Sequence, residues 1–144
     1  MRQMYKNRLL KLAAFLRTVP RKHFNLNEFT NVEDEDNIKC LIKIGTTLKP
    51  LDCGTTACAI GWCPSVFPRN FIWNNHRNIE LINKYNETGW LACEKFFKLN
   101  TREAYYLFSP EYYRIGHHGP KSVASRIEKF VKDGKISTKQ YINF

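Results

Sequence analysis

Acidic residues are scarce in this chain, and the first 27 positions contain none. No apolar run approaches the roughly 18 residues that a membrane-spanning helix needs, so a helical membrane span is excluded and no membrane partner is expected. The start has basic residues but no apolar stretch ending in small residues, so a secretory leader is not expected. The cysteines lack the C-x2-C spacing of a zinc ribbon. Internal repeats, low-complexity tracts and Gly/Ser/Pro linkers are also missing, and 144 residues is the size of one domain, expected over 1–144.

What is present is positive charge and aromatic bulk. Lys and Arg number 23 against 13 Asp and Glu, and aromatics are 14% of the chain. The charge is segregated. Arg2, Lys6, Arg8, Lys11, Arg17, Arg21 and Lys22 precede any acid, then Glu28, Glu33, Asp34, Glu35 and Asp36 follow without a base. The last 34 residues return to seven bases against three acids. A field of this sign attracts phosphorylated small molecules, acidic proteins and, non-specifically, nucleic acid. It does not choose among them.

Periodicity predicts a mostly helical α+β domain. Tyr5, Leu9, Leu12 and Leu16 define a helix over 3–17, stopped by Pro20. Residues 88–98 and 101–108 read as two short helices joined at Leu99-Asn100, with Thr101 opening the second and Pro110 ending it. Val123, Ile127, Phe130 and Val131 mark an amphipathic helix over 120–133, closed by Gly134. Residues 38–44 and 78–86 are expected to supply a small two- or three-stranded sheet. The helix pair has the rhythm of a helix-turn-helix. Its second member, with Tyr105, Tyr106, Leu107 and Phe108, presents a core-forming face rather than the Arg, Lys, Asn and Gln that read a groove.

The most unusual segment runs from Asp52 to Cys63. Thr55 or Thr56 is expected to cap a central, cysteine-containing helix reaching Cys63, where Pro64 and Pro68 stop it. Gly54 permits a tight turn before it. The first amides of a helix have no internal partner and carry the positive end of its dipole, so they suit an anion or a thiolate. Three readings stay open: a tightly packed core helix, a phosphate-binding turn at Gly54, Thr55 and Thr56, and a nucleophile at Cys53 or, less well, Cys58. Metal binding is not expected, because residues five apart on a helix point about 140° apart. No other cofactor is implied. The odd set Cys40, Cys53, Cys58, Cys63 and Cys93 points to free thiols in a reducing compartment. Asp52-Cys53-Gly54 superficially resembles the nucleophile turn of small papain-like cysteine peptidases, with His117 or His118 as base. The helices expected around the histidines do not match the sheet of that fold.

Four segments resemble, in the same order, a group of small proteins of tailed phages and prophages: Leu9 to Leu16, the Cys53-Gly54-Thr55-Thr56-Ala57-Cys58-Ala59-Ile60-Gly61-Trp62 run, Phe96 to Phe108, and Val123 to Val131. The resemblance carries no activity to transfer. It implies expression in a bacterial cytoplasm during infection and a counter-defence role. The first expectation is therefore a binding protein for a phosphorylated or nucleotide-like molecule. Gly54, Thr55 and Thr56 would hold phosphate, Arg69, Arg77 and Lys121 would add charge, and Trp62, Trp73 or Tyr85 would stack on a base. The alternatives are a hydrolase using Cys53 with His117 and a basic inhibitor of an acidic or nucleic-acid-binding host protein.

Overall fold

A computed structural model describes residues 1–24, 58–73, 79–82, 87–114 and 116–136. The predicted strand over 38–44, the acidic run 33–36 and the turn at 53–56 lie outside the described residues. The architecture is α+β and mostly helical, with a small two-stranded antiparallel sheet.

Helix α1 (Gln3–Leu16) buries Leu9, Leu12, Ala13, Phe15 and Leu16 on one side. Its main neighbour is the last helix, α5 (Pro120–Asp133), which turns Val123, Ala124, Ile127 and Phe130 inward. Both stripes follow the i, i+3, i+4 spacing of one helix face, so the pair closes over a continuous apolar seam. At the rim of that seam Arg17 Nε donates to Glu128 Oε1 at 2.8 Å and Arg17 Nη2 donates to Ser125 Oγ at 3.0 Å. These groups are exposed, so they orient the pair more than they stabilise it. Gly134 ends α5 with φ of 73°, the left-handed conformation expected of a C-terminal glycine.

The centre of the chain departs from the expected helix. Residues 58–62 form turns, with the Trp62 amide donating to the Cys58 carbonyl at 3.1 Å and the Cys63 amide to the Ile60 carbonyl at 3.0 Å. Helix α2 is Cys63–Val66, so Pro64 opens a helix instead of stopping one. The reason is steric: a proline in the first turn gives up only an amide that would have no intrahelical partner anyway. Cys58, Ala59, Ile60, Trp62 and Cys63 are all buried.

Strands β1 (Phe71–Trp73) and β2 (Ile79–Leu81) pair antiparallel, with Phe71 opposite Leu81 and Trp73 opposite Ile79. Phe71, Ile79 and Leu81 face the core while Ile72 faces solvent, the period-two pattern of a half-covered sheet. Helix α3 (Gly89–Phe97) packs on β2 and ends at Lys98 with φ of 56°. Helix α4 (Thr101–Phe108) starts with a reciprocal cap. The Glu103 amide donates to Asn100 Oδ1 at 2.8 Å, and the Asn100 amide donates to Glu103 Oε1 at 2.9 Å. Asn100 is thus the cap, and Thr101 opens the helix as expected, its hydroxyl turned to Glu94. Phe67, Phe71, Phe96 and Phe97 form edge-to-face pairs at 4.8 to 5.9 Å where α2, the sheet and α3 meet. Such pairs contribute about 1 kcal/mol each beyond area burial.

Candidate functional site: a basic cleft on the last helix

The N-terminal half of α5 faces a one-turn 3-10 helix, Pro110–Tyr112, and the loop after it. Between them lies an open cleft of about 570 Å³, lined by Tyr112, Tyr113, Arg114, His117, Lys121, Ser122, Ser125, Arg126 and Lys129. Four of these residues are cationic, two are serines and none is an acid. The helix repeat explains how one element supplies five of them: positions 121, 122, 125, 126 and 129 share the face opposite Val123, Ile127 and Phe130. Glu128, the acid of this stretch, is held by Arg17.

Arg126 builds the floor. Its Nη1 donates to the Tyr106 carbonyl at 2.9 Å and to the Tyr112 carbonyl at 2.6 Å. Its guanidinium lies 3.7 Å from the centre of the Tyr113 ring and 4.6 Å from that of Tyr106. Tyr113 is buried beneath it and donates its hydroxyl to the Leu107 carbonyl. Burial drives the Tyr113 hydroxyl well above its ordinary titration range, against a smaller opposing pull from Arg126, so the floor stays protonated. His118 reaches the Tyr113 carbonyl through Nε2 at 3.1 Å and packs edge-on against the same ring. One guanidinium and one imidazole therefore tie the 3-10 helix and its loop to α4 and α5.

The first turn of α5 separates this cleft from a second of about 430 Å³, lined by Arg17, Thr18, Val19, Pro20, Arg21, Gly119, Pro120, Lys121 and Ser122. Lys121 and Ser122 border both. Their amides precede the first intrahelical bond of α5, from Val123 to the Gly119 carbonyl, so the positive end of the helix dipole lies between the two spaces.

Of the residues expected at a site, the structure brings His117 and Lys121 together in the first cleft, both exposed. Arg69 lies elsewhere, in a cleft of about 340 Å³ with Arg8, Asn70, Leu81, Ile82, Glu87, Lys95 and Phe96. Trp73 ends β1, paired with Ile79. Cys53, Gly54, Thr55, Thr56 and Arg77 lie outside the described residues, as do Cys40, His76 and Tyr85. Trp62 is fully buried and packs its ring 5.7 Å from Phe15, so it is a core residue and not a stacking surface for a ligand. Cys58 is also core: burial pushes its thiol from an ordinary 9.0 up to about 12, despite help from the Gly61 amide, which removes it as a nucleophile. Cys63 and Cys93 are free thiols with sulfurs 3.9 Å apart, and burial pushes Cys93 upward too. Among the described residues no group of three His, Cys, Asp or Glu side chains could hold a metal, and no helix is long and apolar enough to cross a membrane.

Arg114, Ser122, Ser125, Arg126 and Lys129 were not singled out by sequence. The signal for four of them was present in α5, whose polar face from 121 to 129 has three cations, two serines and one acid. Comparison with known proteins finds no matching family, no matching curated protein and no matching solved structure.

Proposed function

We propose that this protein binds a phosphorylated or nucleotide-like small molecule in the cleft between α5 and the Pro110–Tyr112 turn. The observation that carries the reading is the lining itself: Arg114, Lys121, Arg126 and Lys129 with His117 and, among the described residues, no carboxylate. Cations crowded without an acid repel one another, and an anion relieves that repulsion. The serine hydroxyls and the first amides of α5 add donors suited to phosphate oxygens. The volume of about 570 Å³ falls within the span of small-molecule sites, roughly 300–1,000 Å³. In this reading the ligand sits at a helix N-terminus, as the sequence led us to expect, but at Pro120 to Ser122. With the phage resemblance, it suggests an accessory protein of infected bacterial cytoplasm that withholds a nucleotide signal from host defences.

Titration calorimetry against inorganic phosphate and a panel of linear and cyclic nucleotides tests this. The expected result is a saturable heat that disappears in a Lys121→Glu/Lys129→Glu variant. Absence of any heat at about millimolar ligand, a binding energy near 4 kcal/mol, would sink the proposal.

A further inference from the structure

A row of aromatic rings leads along the surface into the basic cleft. Trp90, half-buried at the start of α3, stands 5.1 Å from the exposed Tyr105 of α4. Tyr105 in turn lies 6.5 Å from Tyr112, with the two rings within 18° of parallel. Tyr112 lines the cleft. Trp90 is anchored from below by Phe108, at 6.4 Å, so the row is fixed to the core at its far end. Tyr105 is 42% exposed although α4 has buried positions on both sides of it. Trp90 is tilted 42° from Tyr105, so the three rings form a stepped aromatic surface next to a charged groove. Glu111, the acid nearest in sequence, is exposed and does not line the cleft.

Phosphate alone needs no rings, and an apolar partner needs no cations. A chain that alternates phosphates and planar bases needs both, side by side. We propose that the ligand is a short single-stranded oligonucleotide, its phosphates in the cleft of Arg114, Lys121 and Lys129 and its bases on the row Trp90, Tyr105 and Tyr112. This rests on the reading of the cleft as an anion site. Bases in a duplex are already stacked on one another and cannot lie on such a row, so the surface selects single strands.

The test is a calorimetric series of mono-, di- and tetrathymidylate, with a stable self-complementary DNA duplex of about twelve base pairs as comparison, on the intact chain and on Tyr105→Ala, Tyr105→Phe and Lys121→Glu/Lys129→Glu variants. Circular dichroism checks that each variant is folded. Affinity is expected to rise with length, to fall about fivefold to a hundredfold in Tyr105→Ala, to survive in Tyr105→Phe, and to decline with salt at a slope of about 0.7 per phosphate contacted. Affinity that is flat with length, unchanged in Tyr105→Ala or equal for duplex would overturn the oligonucleotide inference. If mononucleotide binding is then still abolished by the double lysine reversal, the anion cleft stands alone. If no thymidylate and no phosphate binds, both fall.

Discussion

Two clefts on this protein have similar numbers of cations but differ in how much of that charge is offset within the cleft. The cleft of Arg8, Arg69 and Lys95 contains Glu87, whose Oε2 is buried without a hydrogen-bond partner among the described residues. Arg8 there is engaged with the protein itself, donating to the Phe96 carbonyl at 2.7 Å and lying 4.1 Å from the centre of the Phe96 ring. The α5 cleft also commits one arginine, Arg126, to carbonyls and rings, but among the described residues it has no carboxylate. The difference teaches that a count of basic residues does not locate an anion site. What counts is the surplus left after the fold has used the charges it needs.

The strongest perturbation of both clefts is alkaline pH. Tyr113 lies under the first, and Cys58 and Cys93 belong to the core beneath α3, whose Lys95 and Phe96 line the second. Burial raises these groups, so folding favours their protonated forms. That stability is fully present below the ordinary thiol value of 9.0 and is lost as pH climbs through the folded value of about 12. For Cys58 alone the full loss is roughly 4 kcal/mol. Denaturant unfolding as a function of pH should show a flat region below about pH 9 and a steep fall above it; stability that held unchanged to pH 12 would contradict the burial of these groups.

Removing the floor is next. Arg126→Ala leaves two carbonyls without their cationic donor and should destabilise the protein by about 3 kcal/mol, at roughly 1.5 kcal/mol per bond. Arg126→Lys should recover less than half, because an ammonium lacks the planar fork that spans both carbonyls and covers the ring. Urea unfolding measures both, and a fully rescued lysine variant would refute the floor described here. Charge reversal then separates the clefts directly. Lys121→Glu/Lys129→Glu should weaken nucleotide binding by about tenfold to a hundredfold, enough to remove the heat seen at about millimolar ligand, each lost charge-assisted contact costing about 1 kcal/mol or more. Arg69→Glu/Lys95→Glu should leave it unchanged, and equal losses from the two pairs would erase the distinction. The smallest effect is the reverse experiment. Glu87→Gln removes the carboxylate of the second cleft and should give it a weak phosphate affinity, seen as amide shifts of Arg69 and Lys95 in an NMR titration. No shift there would mean that surplus charge alone is insufficient.

The sequence was most legible where one local rule decided the structure. The stripes of α1 and α5 need only helical spacing, and both helices appear within a residue or two of their expected ends. The α3–α4 pair is also as expected, with Thr101 opening the second helix behind Asn100, whose side chain and that of Glu103 satisfy each other's amides. Legibility failed where a residue type has two opposite uses. Pro64 was expected to end a helix and instead begins one, since proline suits a first turn as well as it forbids a later one. Trp62 was expected at a surface because tryptophan stacks, and the core took it because tryptophan also buries the largest apolar area. The pairing of β1 with β2 is local, but strand periodicity at Ile79 and Leu81 marked only one of the two strands. Arg126 was illegible for another reason: its partners are backbone carbonyls, which every residue has.

Lys121 borders both cavities at the start of α5. A single ammonium on a flexible stem can lean toward only one of them at a time. On the proposed anion reading the two spaces compete for that charge: an anion placed beside Arg17 and Arg21 would draw it away from Tyr112 and Lys129, and would lower affinity there by the same factor that it is itself penalised. The helix start works as a sill between two rooms, and a ligand long enough to cross it escapes the competition by holding both.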